Sequence, residues 1–199
     1  MLVTTDYFTK WVEVEPMSHI RDVNVKKFLW QNIITRFGIP QVFVADNDKQ
    51  FDSKLIRGFC LELGIKNYFS TPSYPQSNGQ AEASNKVMLD GMKKRLERAK
   101  SLWVEELPNV LWAYRTTPRR STGETPFALA YGMEAVIPLE VGLPTIRTEA
   151  FDSGTNESSI TKQLDWLDCR RDRAAIRLAQ YQQTLAKGYN RREIGRAHV

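Results

Sequence analysis

Between residues 22 and 70 the apolar rhythm switches twice from helical to strand spacing, and few folds can absorb such a switch. Val25, Phe28, Leu29, Ile33 and Phe37 recur at helical intervals, Asp22 is placed to cap the start, and Gly38–Ile39–Pro40 stops the run. A short apolar stretch, Gln41–Ala45, then reads as a strand that ends in Asp46. Asp52 or Ser53 opens a second helix through Leu63, Gly64 closes it, and Ile65–Ser70 reads as another strand. Strands alternating with helices give an α/β fold. Ahead of them, Met1–Phe8 and Trp11–Pro16 cluster β-formers around a short break and predict a hairpin.

Downstream, Thr71–Gly79 is a turn-rich loop, and a helix is expected from Gln80 to about Lys100. A further helix is expected over Trp103–Arg115, and Pro118–Asn156, rich in Pro, Gly and Thr, reads as extended and irregular. Ser158–Tyr189 has a long helical pattern with Ile160, Leu164, Leu167, Ile176, Leu178, Tyr181 and Leu185 as its apolar positions. The 199 residues suffice for one domain and an appendage. No apolar run approaches the ~20 residues needed to cross a bilayer, and the N-terminal residues lack a signal-peptide layout, so no membrane partner is expected. Cys60 and Cys169 sit far apart and make neither a metal pair nor a disulfide framework, which points to a reducing compartment.

A net charge of +5 hints at a polyanionic partner, and its placement says more. Between Ser158 and Arg192 eight basic residues face three acidic ones, so the excess lies in the last helix. A second basic group, Lys86, Lys93, Lys94, Arg95, Arg98 and Lys100, follows Glu82. Either stripe could track a nucleic-acid backbone, or be a solvated helix face. Trp11, Trp30, Trp103, Trp112 and Tyr114 are read as packing residues rather than base-stacking platforms. His19 and His198 are assigned to no metal.

Two carboxylates are placed for chemistry. Asp46 ends a strand, and Glu82 sits in the first turn of a helix, with 35 residues between them. Residues that project from strand ends and adjoining helix starts can converge in α/β folds. Carboxylates from separate elements can hold paired divalent cations for phosphoryl transfer, one ion activating the attacking oxygen and the other stabilising the leaving oxygen. The bland alternatives stay open at this point: Asp-Asn after a strand opens turns, and the macrodipole favours a Glu at a helix start.

VFVADNDKQFDS (42–53) with YPQSNGQAEASNK (74–86) resembles the paired signature of the integrase core of gypsy-type LTR retrotransposons. DYFTKWVEVEP (6–16) and AYRTTPRRSTGETPFALAYGMEAVIP (113–138) are similar to the same family, particularly its plant polyproteins, and the likeness runs from Leu2 to Arg192. The resemblance implies a ribonuclease-H-like fold, a mixed sheet flanked by helices. It implies a triad of two aspartates and a glutamate that binds Mg²⁺ or Mn²⁺, and an activity of 3′-end processing and strand transfer. Asp46 then matches the second aspartate and Glu82 the glutamate, both as catalytic and metal-binding residues. Asn78, Gly79, Asn85 and Lys86 become DNA contacts, Lys86 one helical turn beyond Glu82. The implied partners are DNA, both element ends and host target, and further copies of the chain, with no small-molecule substrate. Nuclear localisation follows if the element is expressed.

Departures from the family pattern set further expectations. The first aspartate belongs to a strand ahead of the DYFTKW segment, so the fold is expected to lack its first strand within these residues, and the chain alone is expected to be inactive. Asp6 lies on the next strand and is not promoted to the triad. Asp48 stands where the family has glycine, which would permit positive φ. The expected organisation is a partial catalytic core over 1–117, an extended linker over 118–156, a basic helical segment over 157–192, and a non-native tail, EIGRAHV, over 193–199. The competing function is a non-catalytic nucleic-acid-binding or protein-interaction remnant.

Overall fold

The computed structural model describes residues 1–70, 86, 90, 103–135 and 153–196. Contacts divide the chain into one unit of 1–7 and 12–111, and another of 8–11 and 112–199.

In the first unit, β1 (Leu2–Thr5) pairs antiparallel with β2 (Val12–Glu15), with Leu2 opposite Glu15 and Thr5 opposite Val12. This is the expected hairpin. The helix after it starts one residue earlier than the capping pattern suggested. Arg21 holds the extended N-cap backbone, and Asp22 is the first helical residue of α1 (Asp22–Phe28), its carboxylate accepting from the Val23 N–H at 2.9 Å.

The same helix continues through a π segment, Leu29–Ile34, into α2 (Thr35–Phe37). The wider π turn needs about one more residue than an α turn, so the apolar face slips by one position. Ile34 is therefore buried, whereas Phe37, expected on the core face, is exposed. Gly38 ends the run at φ 87°, a conformation suited to glycine.

β3 (Val42–Asp46) pairs parallel with β4 (Lys66–Ser70), and α3 (Lys54–Glu62) forms the crossover. Ser53 caps α3 by accepting from the Ile56 N–H at 3.2 Å, and Gly64 closes it at φ 69°. Leu2, Val25, Phe28, Leu29, Ile34, Ile56, Phe59, Cys60 and Ile65 form one core, with Phe43 of β3 packed against it. Both ribbons thus rest on the same apolar cluster. Among the described residues they are not hydrogen-bonded to each other and form two separate two-stranded sheets, one antiparallel and one parallel.

α4 (Trp103–Thr116) buries Leu107, Val110, Leu111 and Tyr114, a stripe at helical spacing. In the second unit the stretch read as irregular contains α5 (Pro126–Tyr131). Thr125 accepts from the Ala128 N–H at 3.0 Å, Pro126 opens the helix, and Gly132 closes it at φ 81°. The last helix, α6 (Ser153–Arg196), is longer than its apolar pattern suggested. Leu167, Ala174 and Leu178 are buried, while Ile176 and Leu185 are exposed. Arg171 donates to the Leu129 carbonyl from Nε at 3.3 Å and Nη2 at 3.2 Å, and Arg170 pairs with Glu134 at 3.3 Å, tying α6 to the end of α5.

Of the aromatic residues read as packing, Trp11 and Tyr114 are buried, whereas Trp30 and Trp112 are exposed. Trp11 is buried against Tyr131 (5.2 Å, edge-on) and Phe127 (6.1 Å), with the Arg115 guanidinium 4.3 Å over its ring. Trp112 meets Phe127 and Trp30 meets Phe59 edge-on, both partly exposed; the Trp103 side chain lies outside the described residues.

Candidate active-site strand end

Phe43 and Ala45 turn toward the core side of β3, so the pleat sends Val42, Val44 and Asp46 to the other face, where all three are exposed. Asp46 is the last strand residue and presents its carboxylate at the C-terminal end of a parallel pair. Open α/β sheets place ligands at such ends.

The register adds a second constraint. Asp46 lies opposite Ser70, the last residue of β4. The chain that leads to Glu82 therefore leaves the sheet about 5 Å from Asp46, the spacing of neighbouring strands. Eleven residues, 71 to 81, then separate Ser70 from Glu82. Glu82, Asn78, Gly79 and Asn85 lie outside the described residues. Lys86 is helical and exposed.

The loop after Asp46 is ordered by its own polar groups. The Asp48 carbonyl accepts from the N–H groups of Phe51 (2.9 Å) and Asp52 (3.2 Å), and its carboxylate accepts from Gln50 Nε2 at 2.9 Å. Lys10 is the one non-glycine residue with positive φ among the described residues, so Asp48 replaces glycine without backbone strain. A pair that sequence reasoning missed follows: Arg57 donates to both Asp52 oxygens at 2.6 Å. The hydrogen bond from Arg57 holds the Asp52 carboxyl below its ordinary range. The signal available was an acidic residue just before the Ser53 cap and a basic one on the first turn of α3.

No group of three or more potential metal ligands exists among the described residues. The donor chemistry present suits a hard divalent cation: an exposed carboxylate at a strand end, with the chain to a second carboxylate leaving beside it. His19 serves a structural contact, its carbonyl accepting from Asn24 Nδ2 at 3.0 Å. No described helix is long and apolar enough to cross a membrane.

Residues 1–75 match the integrase core domain family. The chain is 31% identical over 178 residues to the Gag-Pol polyprotein of avian reticuloendotheliosis virus, covering 89% of this chain and 15% of that protein. It is 38% identical over 133 residues to the Gag-Pol polyprotein of feline leukemia virus, covering 66% of this chain and 8% of that protein. The chain thus spans a small fraction of these relatives. Among solved structures, it resembles the HTLV-2 integrase catalytic core domain in complex with magnesium, at TM-score 0.55 and 21% identity, covering 65% of this chain and 82% of that one. The BIV integrase catalytic core gives TM-score 0.54 at 21% identity, covering 64% and 82%. The fold is therefore that of integrase catalytic cores, ribonuclease-H-like, and residues 1–75 match the integrase core domain model in a chain similar to retroviral Gag-Pol polyproteins.

Proposed function

We propose that these residues are part of the DNA-joining integrase of a gypsy-type LTR retrotransposon of plant type, with Asp46 and Glu82 as two of its catalytic, metal-holding carboxylates. The observation that carries the reading is Asp46, exposed at the end of β3 and in register with Ser70, from which the chain runs on to Glu82. Mg²⁺ or Mn²⁺, when bound, would activate the attacking oxygen and stabilise the leaving one. The magnesium complex of the HTLV-2 core supports this choice of ion. Asp46 would supply hard oxygen ligands from a rigid strand end. Lys86 and Asn85, with Asn78 and Gly79 in the preceding loop, would position the DNA backbone, and Lys86 would neutralise phosphate charge.

The partners are element-end DNA, target DNA and further copies of the chain; the simian T-cell lymphotropic virus intasome, which this chain resembles at TM-score 0.59, supports an assembled state. The place of action is the nucleus.

Two measurements test this. Mn²⁺ titration should give binding that weakens at least tenfold in Asp46→Asn and in Glu82→Gln; unchanged binding in both would remove the site. Incubation with pre-cleaved element-end DNA should yield Mg²⁺-dependent joined product from a chain extended with a strand carrying the third expected carboxylate, and Glu82→Gln should abolish it. Equal product from the extended chain and its Glu82→Gln variant would overturn the assignment.

A second reading, a non-catalytic DNA-binding remnant, is favoured by α6, where Arg173, Arg177 and Lys187 are all exposed. Salt-dependent DNA binding that survives deletion of 157–192 would exclude it.

A further inference from the structure

We propose that the exposed stripe of α6 made by Trp166, Cys169, Arg173 and Ile176 is a docking surface, and that its occupant is the same stripe of a second copy of this chain, the two helices lying parallel. α6 spends its other side on its own unit: Leu167, Ala174 and Leu178 are buried, and Arg171 reaches back to the Leu129 carbonyl. At 3.6 residues per turn, the centre of the stripe lies about 140° around the helix from that buried face. There Trp166 is 67% exposed and Ile176 60%, with Cys169 and Arg173 exposed between them.

Positions 166, 169, 173, 176 and 180 are separated by alternating steps of three and four, the spacing of a seam between two coiled helices. The flanks of the seam choose the occupant. Asp172 lies on one flank and Arg177 on the other, both exposed, the Arg177 guanidinium lying over Gly123 of its own chain. In a parallel pair each flank meets the opposite flank of the other helix, so Asp172 faces Arg177 of the second copy, and symmetry repeats the pair. Arg173, within the seam, packs beside Asp172 of the other copy, which offsets the approach of the two Arg173 charges.

An antiparallel pair would instead set Asp172 against Asp172 and Arg177 against Arg177. A nucleic-acid backbone fits the stripe poorly, because Trp166, Cys169, Ile176 and the acidic flank stand where phosphate contacts need cations. The seam from Trp166 to Gln180 is about 20 Å long. It is smaller than the ~1,200 Å² interface of stable complexes, so the affinity belongs in the micromolar range. The contact uses neither Asp46 nor Glu82, so it goes beyond the proposed activity and stands or falls apart from it.

The test is sedimentation equilibrium of the full chain from about 1 to 100 µM in reducing buffer. The wild type should show reversible self-association. Ile176→Lys should raise the dissociation constant at least tenfold while the circular dichroism spectrum is unchanged, because that side chain is exposed in the single chain. If Ile176→Lys loses the native spectrum, Trp166→Lys takes its place with the same expectation. Leu61→Lys, at an 83% exposed position of α3, should associate as the wild type does. Asp172→Lys and Arg177→Asp should each weaken association, and the double variant should restore it, a rescue that only parallel flanks allow. A wild type that stays monomeric to 100 µM, a seam variant that folds and associates like the wild type, or a charge exchange without rescue overturns the proposal.

Discussion

Replacing Phe28 by Ala probes the packing that holds the strand ending in Asp46. Phe28 is 1% exposed and sits in the cluster with Leu2 of β1 and Ile56 and Phe59 of α3, against which Phe43 of β3 packs. Truncation removes a buried aromatic ring and leaves a cavity in a core that collapses only in part, at a cost of about 3–5 kcal/mol. With a urea m-value of about 2 kcal/mol/M, the unfolding midpoint should fall by roughly 1.5–2.5 M. Against a total stability of about 5–15 kcal/mol this is a large fraction. Val23, on the same helix and 62% exposed, is the control: Val23→Ala should change stability by about 0.5 kcal/mol or less. Urea titration followed by circular dichroism reads both. A Phe28→Ala loss under about 1 kcal/mol would refute the reasoning that one core under both ribbons carries the stability of this unit.

Further outcomes follow from particular contacts. Gly132→Ala should cost about 1–2 kcal/mol in thermal unfolding, because φ is 81° and the new Cβ would meet Leu167 Cδ2 at 3.1 Å. Thr125→Ala should cost about 1–2 kcal/mol by the same assay, since it removes the cap of α5. Cys169 is exposed, whereas Cys60 is buried and its burial pushes the thiol pKa up; Ellman's reagent should therefore label one thiol quickly and the second only in denaturant. Asp52 is held below the ordinary carboxylate range by Arg57, so the pair's stabilisation is complete above the unfolded carboxylate value of about 3.9 and fades as pH falls through the lower folded value. Asp52→Asn should accordingly lower stability at neutral pH and converge on the wild type as pH falls below about 4, and a loss that persists unchanged in acid would contradict the pairing.

Much of the first unit was legible because its punctuation is local. Ser53 and Gly64 bracket α3 by the cap and the positive φ that their residue types favour, and the apolar run before Asp46 could only be a short strand. The slip at Leu29–Ile34 was not legible, because a π turn leaves no residue-type signature and shows itself only when Ile34, not Phe37, enters the core. α5 was misread for a different reason. Pro and Gly density between 118 and 156 looked like loop, yet Thr125-Pro126 and Gly132 are the start and stop of a six-residue helix. The same two residue types break a helix from within and delimit it from outside, and only position distinguishes the cases. For the site, the strand-end position of Asp46 was legible from the apolar run, whereas the pairing of Asp52 with Arg57 needed the turn geometry of Asp48 to bring the partners together.

The π segment also gives this helix a reserve of length. Removing exposed Gln31 would let the stretch relax to α pitch, with the residue now numbered Ile34 moving up to the place four after Leu29, still on the core face. Everything beyond it, including the Arg36–Glu13 ion pair at 2.9 Å, would keep its orientation. Adding a residue has no such outlet. The joint between the hairpin and β3 should therefore tolerate shortening by one residue far better than lengthening by one.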